Sequence, residues 1–231
     1  MKVTIHQANY LPYPGFFHKI CQADVFVIMD DVQFQSDITN RNKIISKDKE
    51  WDRIIVPVKK NQTHKKIMDV EINNEIEWRE ENYRKLCESY DSSKYFMIYK
   101  DYFESLYHKE WKNIFELNFE TIKQILHWLD IKVEIIVESK LNISEQSTQR
   151  LVEICKKLNA ETYISGIGGK QYLNEKLFAE NNINLEYQKY TPICYEQNLS
   201  KSFIQNLSII DFLANVGPDG GKLLKQYVSN E

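Results

Sequence analysis

The segment that decides the fold reads Val25-Phe26-Val27-Ile28-Met29 and is bounded by an aspartate at each end. An unbroken apolar run of this length suits a strand that is buried on both of its faces. Strands of that kind belong to parallel sheets that helices cover on each side. The segment therefore predicts an α/β fold, Rossmann-like, with three layers and a mostly parallel sheet.

A strand and a helix precede this segment. Residues 3–5 are apolar and predict a short strand, and residues 15–21 predict a helix with Phe16, Phe17 and Ile20 on its apolar side. The order strand, loop, helix, strand is a βαβ unit, whose crossover is right-handed in nearly all proteins. That geometry places the loop after the first strand beside the end of the second strand.

The α/β pattern is interrupted once by a long helical region. Between residues 75 and 130 the apolar residues recur at helical spacing, most clearly over residues 111–129. This region is rich in aromatic residues, which indicates core packing, with a base-stacking platform as the alternative. Further strands are predicted at residues 52–58, 67–72, 132–137, 162–164 and 184–188. We predict a single α/β domain over residues 1–231 with a helical insertion at residues 75–130.

Composition excludes several classes of protein. The chain has 231 residues and a formal charge of −3, which gives no electrostatic basis for general nucleic-acid binding. Hydrophobic residues make up 42% of the chain, enough to bury a core. No stretch approaches the roughly 20 apolar residues of a membrane span, and the first ten residues lack a signal-peptide pattern. The four cysteines form no Cys-x-x-Cys pair, so we expect a cytoplasmic protein with reduced thiols.

The first polar block follows the first predicted strand. It contains His6, Gln7, Asn9 and Tyr10, and His18 and Lys19 follow on the helix. Ligands of open parallel sheets bind outside the carboxyl ends of the strands, so these side chains are candidates for contact with a ligand. The alternative is that they satisfy backbone groups of the loop.

The second block follows the deciding segment directly. It contains Asp30, Asp31 and Gln33. Because neighbours on a strand point to opposite faces, one aspartate should face the ligand crevice and the other should brace a loop. The crevice aspartate is a candidate metal ligand, general base or acceptor for a substrate amine. A turn or a helix cap is the alternative.

Two further blocks are suited to anions. The first contains Asn40, Arg41, Asn42 and Lys43, and arginine with neighbouring amides suits a phosphate or a carboxylate. The second is a glycine-rich turn between a strand and a helix, where the backbone can approach a phosphate. Its spacing matches neither the Walker pattern nor the dinucleotide fingerprint. A solvated loop and a tight turn without a ligand are the alternatives. The residues of this turn are Ser165, Gly166, Gly168, Gly169, Lys170 and, on the following helix, Tyr172.

These blocks, in this order, resemble the WbqC-like family. The opening of that family reads His-Gln-Pro-Asn-Tyr-Leu-Pro-Trp-x-Gly-Phe-Phe-His-Lys, and residues 6–19 match it with Ala8 and Tyr13 as departures. Three later family patterns match residues 23–34, 40–44 and 162–173. A closing Leu-Ser-Ile-Ile-Asp stands at positions 207 to 211, so the resemblance covers nearly the whole chain.

The resemblance implies modification of an amino sugar in surface-polysaccharide or O-antigen biosynthesis. Our first hypothesis is a transferase that moves an acyl or aminoacyl group, with glycine as one candidate, onto the amine of a nucleotide-linked sugar. In it Asp30 or Asp31 accepts the amine proton, and His6 and His18 stabilise developing charge. No residue is assigned to a metal. The remaining residues of the four blocks hold phosphates or orient the substrate: Gln7, Asn9, Tyr10, Gln33, Asn40, Arg41, Asn42, Lys43, Ser165, Gly166, Gly168, Gly169, Lys170 and Tyr172.

Two other hypotheses stay open. The first βαβ unit is faintly similar to the nucleotidylyltransferase superfamily, although Gly15 and His18 stand at a different spacing. That similarity favours an adenylate-forming ligase that uses ATP with Mg²⁺. The lack of a complete catalytic motif favours a non-catalytic sugar-nucleotide sensor or assembly protein. The sequence identifies neither the sugar nor the donor, and it leaves a homo-oligomer open.

Overall fold

Five strands form the central sheet of the computed structural model, which describes residues 1–229. The order across the sheet is β5-β2-β1-β6-β7, and every pairing between neighbours is parallel. The predicted Rossmann-like α/β fold with three layers is therefore confirmed. The strands of this sheet are β1 (Lys2–Gln7), β2 (Val25–Met29), β5 (Glu134–Val137), β6 (Thr162–Ser165) and β7 (Asn184–Tyr187).

The deciding segment is strand β2, and both of its faces are covered. Val25 and Val27 belong to the smaller of two apolar clusters, on one side of the sheet. Phe26 and Ile28 belong to the larger cluster on the other side. Because side chains alternate across a strand, five consecutive apolar residues supply both layers of the core.

Helices cover the sheet on both sides, and most of the aromatic residues pack in the core between the helices and the sheet. The smaller cluster contains residues of α5 and α6, and the larger one contains residues of α1 to α4, α7 and α8. The helices are α1 (Pro14–Ile20), α2 (Trp78–Tyr90), α3 (Phe96–His108), α4 (Ile114–Trp128), α5 (Ser147–Lys157), α6 (Glu175–Glu180), α7 (Ile209–Val216) and α8 (Gly220–Ser229). In the described part of the chain no helix has the length and apolar character needed to cross a bilayer.

Helix α4 shows how local chemistry sets a boundary. The Asn113 side chain accepts hydrogen bonds from the backbone N–H groups of Phe115 and Glu116, at 2.7 and 3.4 Å. This N-cap starts the helix at Ile114, three residues after the predicted start at Trp111. Trp111 instead lies before the cap, where its indole N–H donates to the Leu106 carbonyl. Among the aromatic residues of α3, Phe96, Tyr99, Phe103 and Tyr107 are buried and Tyr102 is half-buried, as core packing requires.

One strand prediction in this region was wrong, and one strand was not predicted. Residues 67–72 form a short 3₁₀ helix, Ile67–Asp69, and Ile72 makes only an isolated bridge to Val58. Within residues 1–229 this segment makes only isolated bridges, so alternation alone did not produce a strand. Conversely, the polar run at residues 40–43 enters strand β3 (Arg41–Ile45), which pairs antiparallel with β4 (Trp51–Ile55).

The strand order identifies the place where a ligand is expected. From β1 the chain first builds the sheet outward through β2 and β5, and then returns to place β6 on the other side of β1. The order therefore reverses between β1 and β6. In open parallel sheets this reversal opens a crevice at the carboxyl ends of the two strands, and ligands bind there.

Candidate functional site

A cleft with two lobes lies at the carboxyl ends of β1 and β6. The inner lobe has a volume of about 430 Å³, and the outer lobe has a volume of about 670 Å³. The two lobes share His6, Tyr13, Ile167 and Tyr190, which makes them neighbouring parts of one cleft. The inner lobe is further lined by Lys19, Tyr163, Ser165, Gly166, Gly168 and Gln188. The outer lobe is further lined by Asn9, Asp37, Arg41, Asn42, Lys43 and Arg53.

The glycine-rich turn forms one wall of the inner lobe. A Cβ atom at Gly166 or Gly168 would meet no protein atom within 4 Å, and neither residue has a positive φ. Neither packing nor backbone conformation therefore requires glycine at these two positions. Gly169 differs, since a Cβ there would lie 2.3 Å from the Ser165 Oγ. The open space at Gly166 and Gly168 lets a ligand approach the backbone.

Lys19 and His6 determine the electrostatics of the inner lobe. The Lys19 side chain is 3% exposed, and its Nζ donates to the Ile5 carbonyl at 3.3 Å. Burial lowers the pKa of Lys19 to about 7. Burial, and then the charge of Lys19, lower the pKa of His6 to about 3. At neutral pH the His6 imidazole is therefore uncharged, and Lys19 is divided between its amine and ammonium forms.

His18 is buried behind the cleft and braces its wall. Its Nδ1 lies 2.8 Å from the Gln188 Nε2 and 3.1 Å from the Gln22 Nε2. Gln188 also donates to the Gly15 carbonyl at 2.8 Å, which ties helix α1 to the chain after β7. The His18 ring lies 5.1 Å from the ring of Tyr190, which lines both lobes. Burial lowers the pKa of His18 to about 4, so the ring is neutral at physiological pH.

The outer lobe concentrates positive charge on the β3–β4 hairpin. Lys43 and Arg53 stand directly opposite each other in the hairpin, and both lie over the Trp51 ring, at 4.3 and 4.9 Å from its centre. Like charges in such a pair repel unless an anion compensates them. Arg41 adds a third cation, and its Nε has no partner among the described residues.

One carboxylate is present in the described lining of the outer lobe. It belongs to Asp37, whose side chain is 91% exposed and lies 3.8 Å from the Arg41 guanidinium. An exposed pair at that distance compensates little charge. Asn42 fixes the lobe to the first loop, because its Nδ2 donates to the Leu11 carbonyl at 2.7 Å. Asn9 also lines the lobe, and its buried Oδ1 has no described partner.

The two aspartates after β2 lie outside the described lining of both lobes. Asp30 is buried, and its carboxylate accepts hydrogen bonds from the backbone N–H and the hydroxyl of Ser139, at 2.9 and 2.7 Å. Asp31 pairs with Lys66 and, at 2.9 Å, with Arg150. Burial acts to raise the pKa of Asp31, but these two cations outweigh it and hold the pKa below its usual range. The structure thus places both carboxylates beside the chain that follows β5.

The other residues proposed from the sequence divide between the cleft and the scaffold. His6, Asn9, Arg41, Asn42, Lys43, Ser165, Gly166, Gly168, Gly169 and Tyr172 line the cleft. Tyr10 is buried against the Tyr107 hydroxyl, and Asn40 is buried with its Nδ2 on the Val56 carbonyl. The remaining three side chains have partners elsewhere: Gln7 donates to Gln35, Gln33 donates to the Thr63 carbonyl, and Lys170 lies over the Tyr187 ring.

Sequence reasoning missed two residues that shape the cleft, Arg53 and Tyr190, and gave a third, Lys19, no role. Lys19 follows His18 in the helix that precedes β2 and belongs to the first polar block. Arg53 lies opposite Lys43 only because the two strands pair. Tyr190 belongs to an irregular segment whose place beside His18 follows from the tertiary fold alone. Across residues 1–229 no group of three or more His, Cys, Asp or Glu side chains is arranged to hold a metal ion.

The comparisons with known proteins show the family of the chain and cover most of its length. A model described as the WbqC-like protein family matches residues 7–223. The chain is also similar to Rv1507c of Mycobacterium tuberculosis, an uncharacterised protein, with 31% identity over 228 residues that cover 97% of each chain. No solved structure shows a significant match. The matched range contains the described lining of both lobes apart from Ile5 and His6.

Proposed function

Because the chain belongs to the WbqC-like protein family, we propose that it is a transferase that modifies a nucleotide-linked amino sugar. The transferred group is acyl or aminoacyl, and the acceptor is the amine of the sugar. The product belongs to surface-polysaccharide biosynthesis.

The observation that carries the proposal is the chemical contrast between the two lobes. The outer lobe offers Arg41, Lys43 and Arg53 with one exposed carboxylate, which suits the diphosphate of a sugar nucleotide. The inner lobe offers a turn that is open at Gly166 and Gly168 and a buried amine, and its described lining contains no carboxylate. A sugar attached to the diphosphate would extend from the outer lobe into the inner lobe.

The reaction joins the sugar amine to the carbonyl carbon of an activated acyl donor. The amine nitrogen forms the new C–N bond, and the bond from the carbonyl carbon to the donor's leaving group breaks. The ammonium form of the sugar gives up two of its three protons, and the amide product keeps the third. Positioning of the two reactants supplies a large part of such rate enhancements. Hydrogen-bond donors aimed at the carbonyl oxygen supply another part. Backbone N–H groups of the glycine-rich turn are the candidates for that role.

A thermal-shift screen with nucleotides and nucleotide sugars, with and without Mg²⁺, tests the proposal. A ligand present at about 100 times its dissociation constant adds roughly 2.7 kcal/mol to the stability of the folded state. A shift with a nucleoside-diphosphate amino sugar, followed by transfer from an acyl donor, supports the transferase. A shift with ATP alone favours the adenylate-forming ligase, and tight binding of a sugar nucleotide that is never consumed favours a sensor.

Replacing Arg41 by glutamine is expected to weaken binding of the nucleoside-diphosphate amino sugar by about tenfold or more, because hydrogen bonds to charged groups contribute about 1.5–3 kcal/mol. Calorimetric titration measures this change. The control is Arg84→Gln, which removes an arginine paired with Glu88 on the exposed face of α2 and should leave binding unchanged. Equal losses in both variants would show that the outer lobe has no specific role in phosphate binding.

Replacing Gly168 by alanine is expected to leave the melting temperature unchanged, since the added methyl group meets no protein atom within 4 Å. The same methyl group occupies the space of the ligand and should weaken binding or turnover. Gly169→Ala is the matched control with the opposite pattern, because its Cβ would collide with Ser165 and Leu173 and should lower the melting temperature. Unchanged binding and turnover in Gly168→Ala would remove the glycine-rich turn from the site.

A further inference from the structure

The inner lobe lacks the proton acceptor that the sequence suggested. Asp30 and Asp31 bond to Ser139 and Arg150 outside the lobe, and the described lining of the lobe contains no carboxylate. Acyl transfer to an amine nevertheless needs a base, because an ammonium group has no lone pair with which to attack a carbonyl carbon. The base must therefore come from another group that reaches the lobe.

Lys19 is placed to supply it. Helix α1 carries Lys19 to the carboxyl end of β1, where the residue lines the inner lobe and its Nζ donates to the Ile5 carbonyl. A neutral amine has two N–H groups and one lone pair. One N–H is held by Ile5, so the lone pair remains available to a proton donor in the lobe. Among the described residues no carboxylate lies within ion-pair distance to hold this amine in its charged form.

We propose that the Nζ of Lys19 is the base that accepts the proton of the substrate's ammonium group. This inference rests on the proposed function and deepens it by assigning the catalytic base. The sugar ammonium passes one proton to the Lys19 amine, which gives a neutral sugar amine and a lysine ammonium. The sugar nitrogen then bonds to the acyl carbon and the leaving group departs with the bonding electrons. The second nitrogen proton passes to the leaving group, and Lys19 releases its proton to solvent.

The other titratable groups of the lobe are less suited to this role. His6 has a pKa lowered to about 3 by burial and by Lys19, so it is a weak base at neutral pH. Tyr13, Tyr163 and Tyr190 have pKa values raised by burial, so they remain protonated. Tyr172 and Lys189 complete the titratable lining. Burial brings the pKa of Lys19 to about 7, and a base is most effective when its pKa lies near the working pH.

Competitive acetylation tests the chemical state of Lys19 without any knowledge of the substrate. The protein is labelled with trace acetic anhydride from pH 5.5 to 10, and each lysine is quantified by mass spectrometry. We expect Lys19 to label with a midpoint near pH 7. The comparison is Lys222, whose pKa is raised by its hydrogen bond to Asp219. A Lys19 that stays unlabelled at pH 8, or titrates together with Lys222, would overturn the proposal.

Turnover of the variants tests the catalytic role itself. With the donor and acceptor found by the screen, Lys19→Met should lower kcat by at least about 100-fold, as loss of a general base does, and should remove the decline of kcat below pH 7. Lys19→Arg keeps a positive charge but cannot accept a proton, so it should be equally inactive while still binding the sugar nucleotide. Full turnover in Lys19→Arg would show that only the positive charge of Lys19 is needed, as in anion binding. It would refute the role of Lys19 as the base. Absence of any bound or converted sugar nucleotide in the wild type would refute the transferase, whereas the acetylation result stands independently.

Discussion

Replacing Arg150 by methionine is expected to lower the free energy of unfolding by about 3–5 kcal/mol, as the loss of one partner of a buried ion pair does. The Nε of Arg150 donates to the Glu138 carboxylate at 2.7 Å, and Glu138 is fully buried. The same guanidinium donates to the Asp31 carboxylate and, at 3.0 Å, to the Asp31 carbonyl. Without Arg150, one carboxylate is buried without its cation and the chain after β2 loses its anchor. Urea denaturation at pH 7.5 measures the change.

The stability lost in Arg150→Met should depend on pH in a defined direction. Burial raises the pKa of Glu138 even beside Arg150, and the charges of Asp31 and Asp30 add to it. Removing the guanidinium raises this pKa further, so the folded variant binds a proton that the unfolded chain releases above about pH 4.5. Stability of the variant therefore falls as pH rises through that window, and the deficit at pH 5 should be smaller than at pH 7.5.

A double variant and a surface variant serve as controls. Arg150→Met combined with Glu138→Gln should recover part of the lost stability, because no buried charge remains. Arg84→Met removes the exposed pair with Glu88 and should cost less than about 1 kcal/mol. If Arg150→Met lost no more stability than Arg84→Met, water would have to compensate the carboxylates of Glu138 and Asp31. Asp31 would then again be a candidate catalytic base.

Replacing Lys19 by methionine is expected to raise the free energy of unfolding at pH 7 by about 3–4 kcal/mol. Each pKa unit corresponds to about 1.4 kcal/mol, and burial lowers this pKa from 10.5 to about 7. The lost hydrogen bond to the Ile5 carbonyl offsets about 1 kcal/mol of the gain. A cavity-lining lysine that reduces stability is consistent with a functional role, since local rules are broken mainly at functional sites.

The gain from Lys19→Met should shrink as pH rises. Below pH 7 the lysine is charged in both states, so the folded state carries the whole cost of burying the charge. Between about pH 7 and the ordinary lysine pKa the folded state releases its proton first, and the cost disappears. Unfolding at pH 6.5, 8 and 9.5 measures this trend, with Lys222→Met on the exposed surface as the control. A variant less stable than the wild type at pH 6.5 would show that Lys19 is well accommodated as a cation.

The sequence by itself determined the fold class, and it predicted the edge of the sheet at which a ligand would bind. The five apolar residues of β2 fill both layers of the core because alternation along a strand is a local property. The βαβ order then placed the polar loop after β1 at the carboxyl edge of the sheet. His6 and Asn9 were predicted because they follow the first buried strand, and Arg41 was predicted because an arginine among amides suits an anion. Gly166 and Gly168 were identified because a glycine-rich turn after a strand is visible in the sequence.

The tertiary structure alone decided which polar groups enter the cleft and which become part of the scaffold. Asp30 and Asp31 follow a neighbour of β1, yet the turn after β5 brings Ser139 to Asp30 and helix α5 brings Arg150 to Asp31. Lys19 reaches the inner lobe because α1 packs back against the sheet. The pKa of a lysine or carboxylate depends on its burial and on the charges nearby. Asp31 and Arg150 are more than a hundred residues apart in the sequence. No local sequence pattern could therefore have predicted that they form an ion pair.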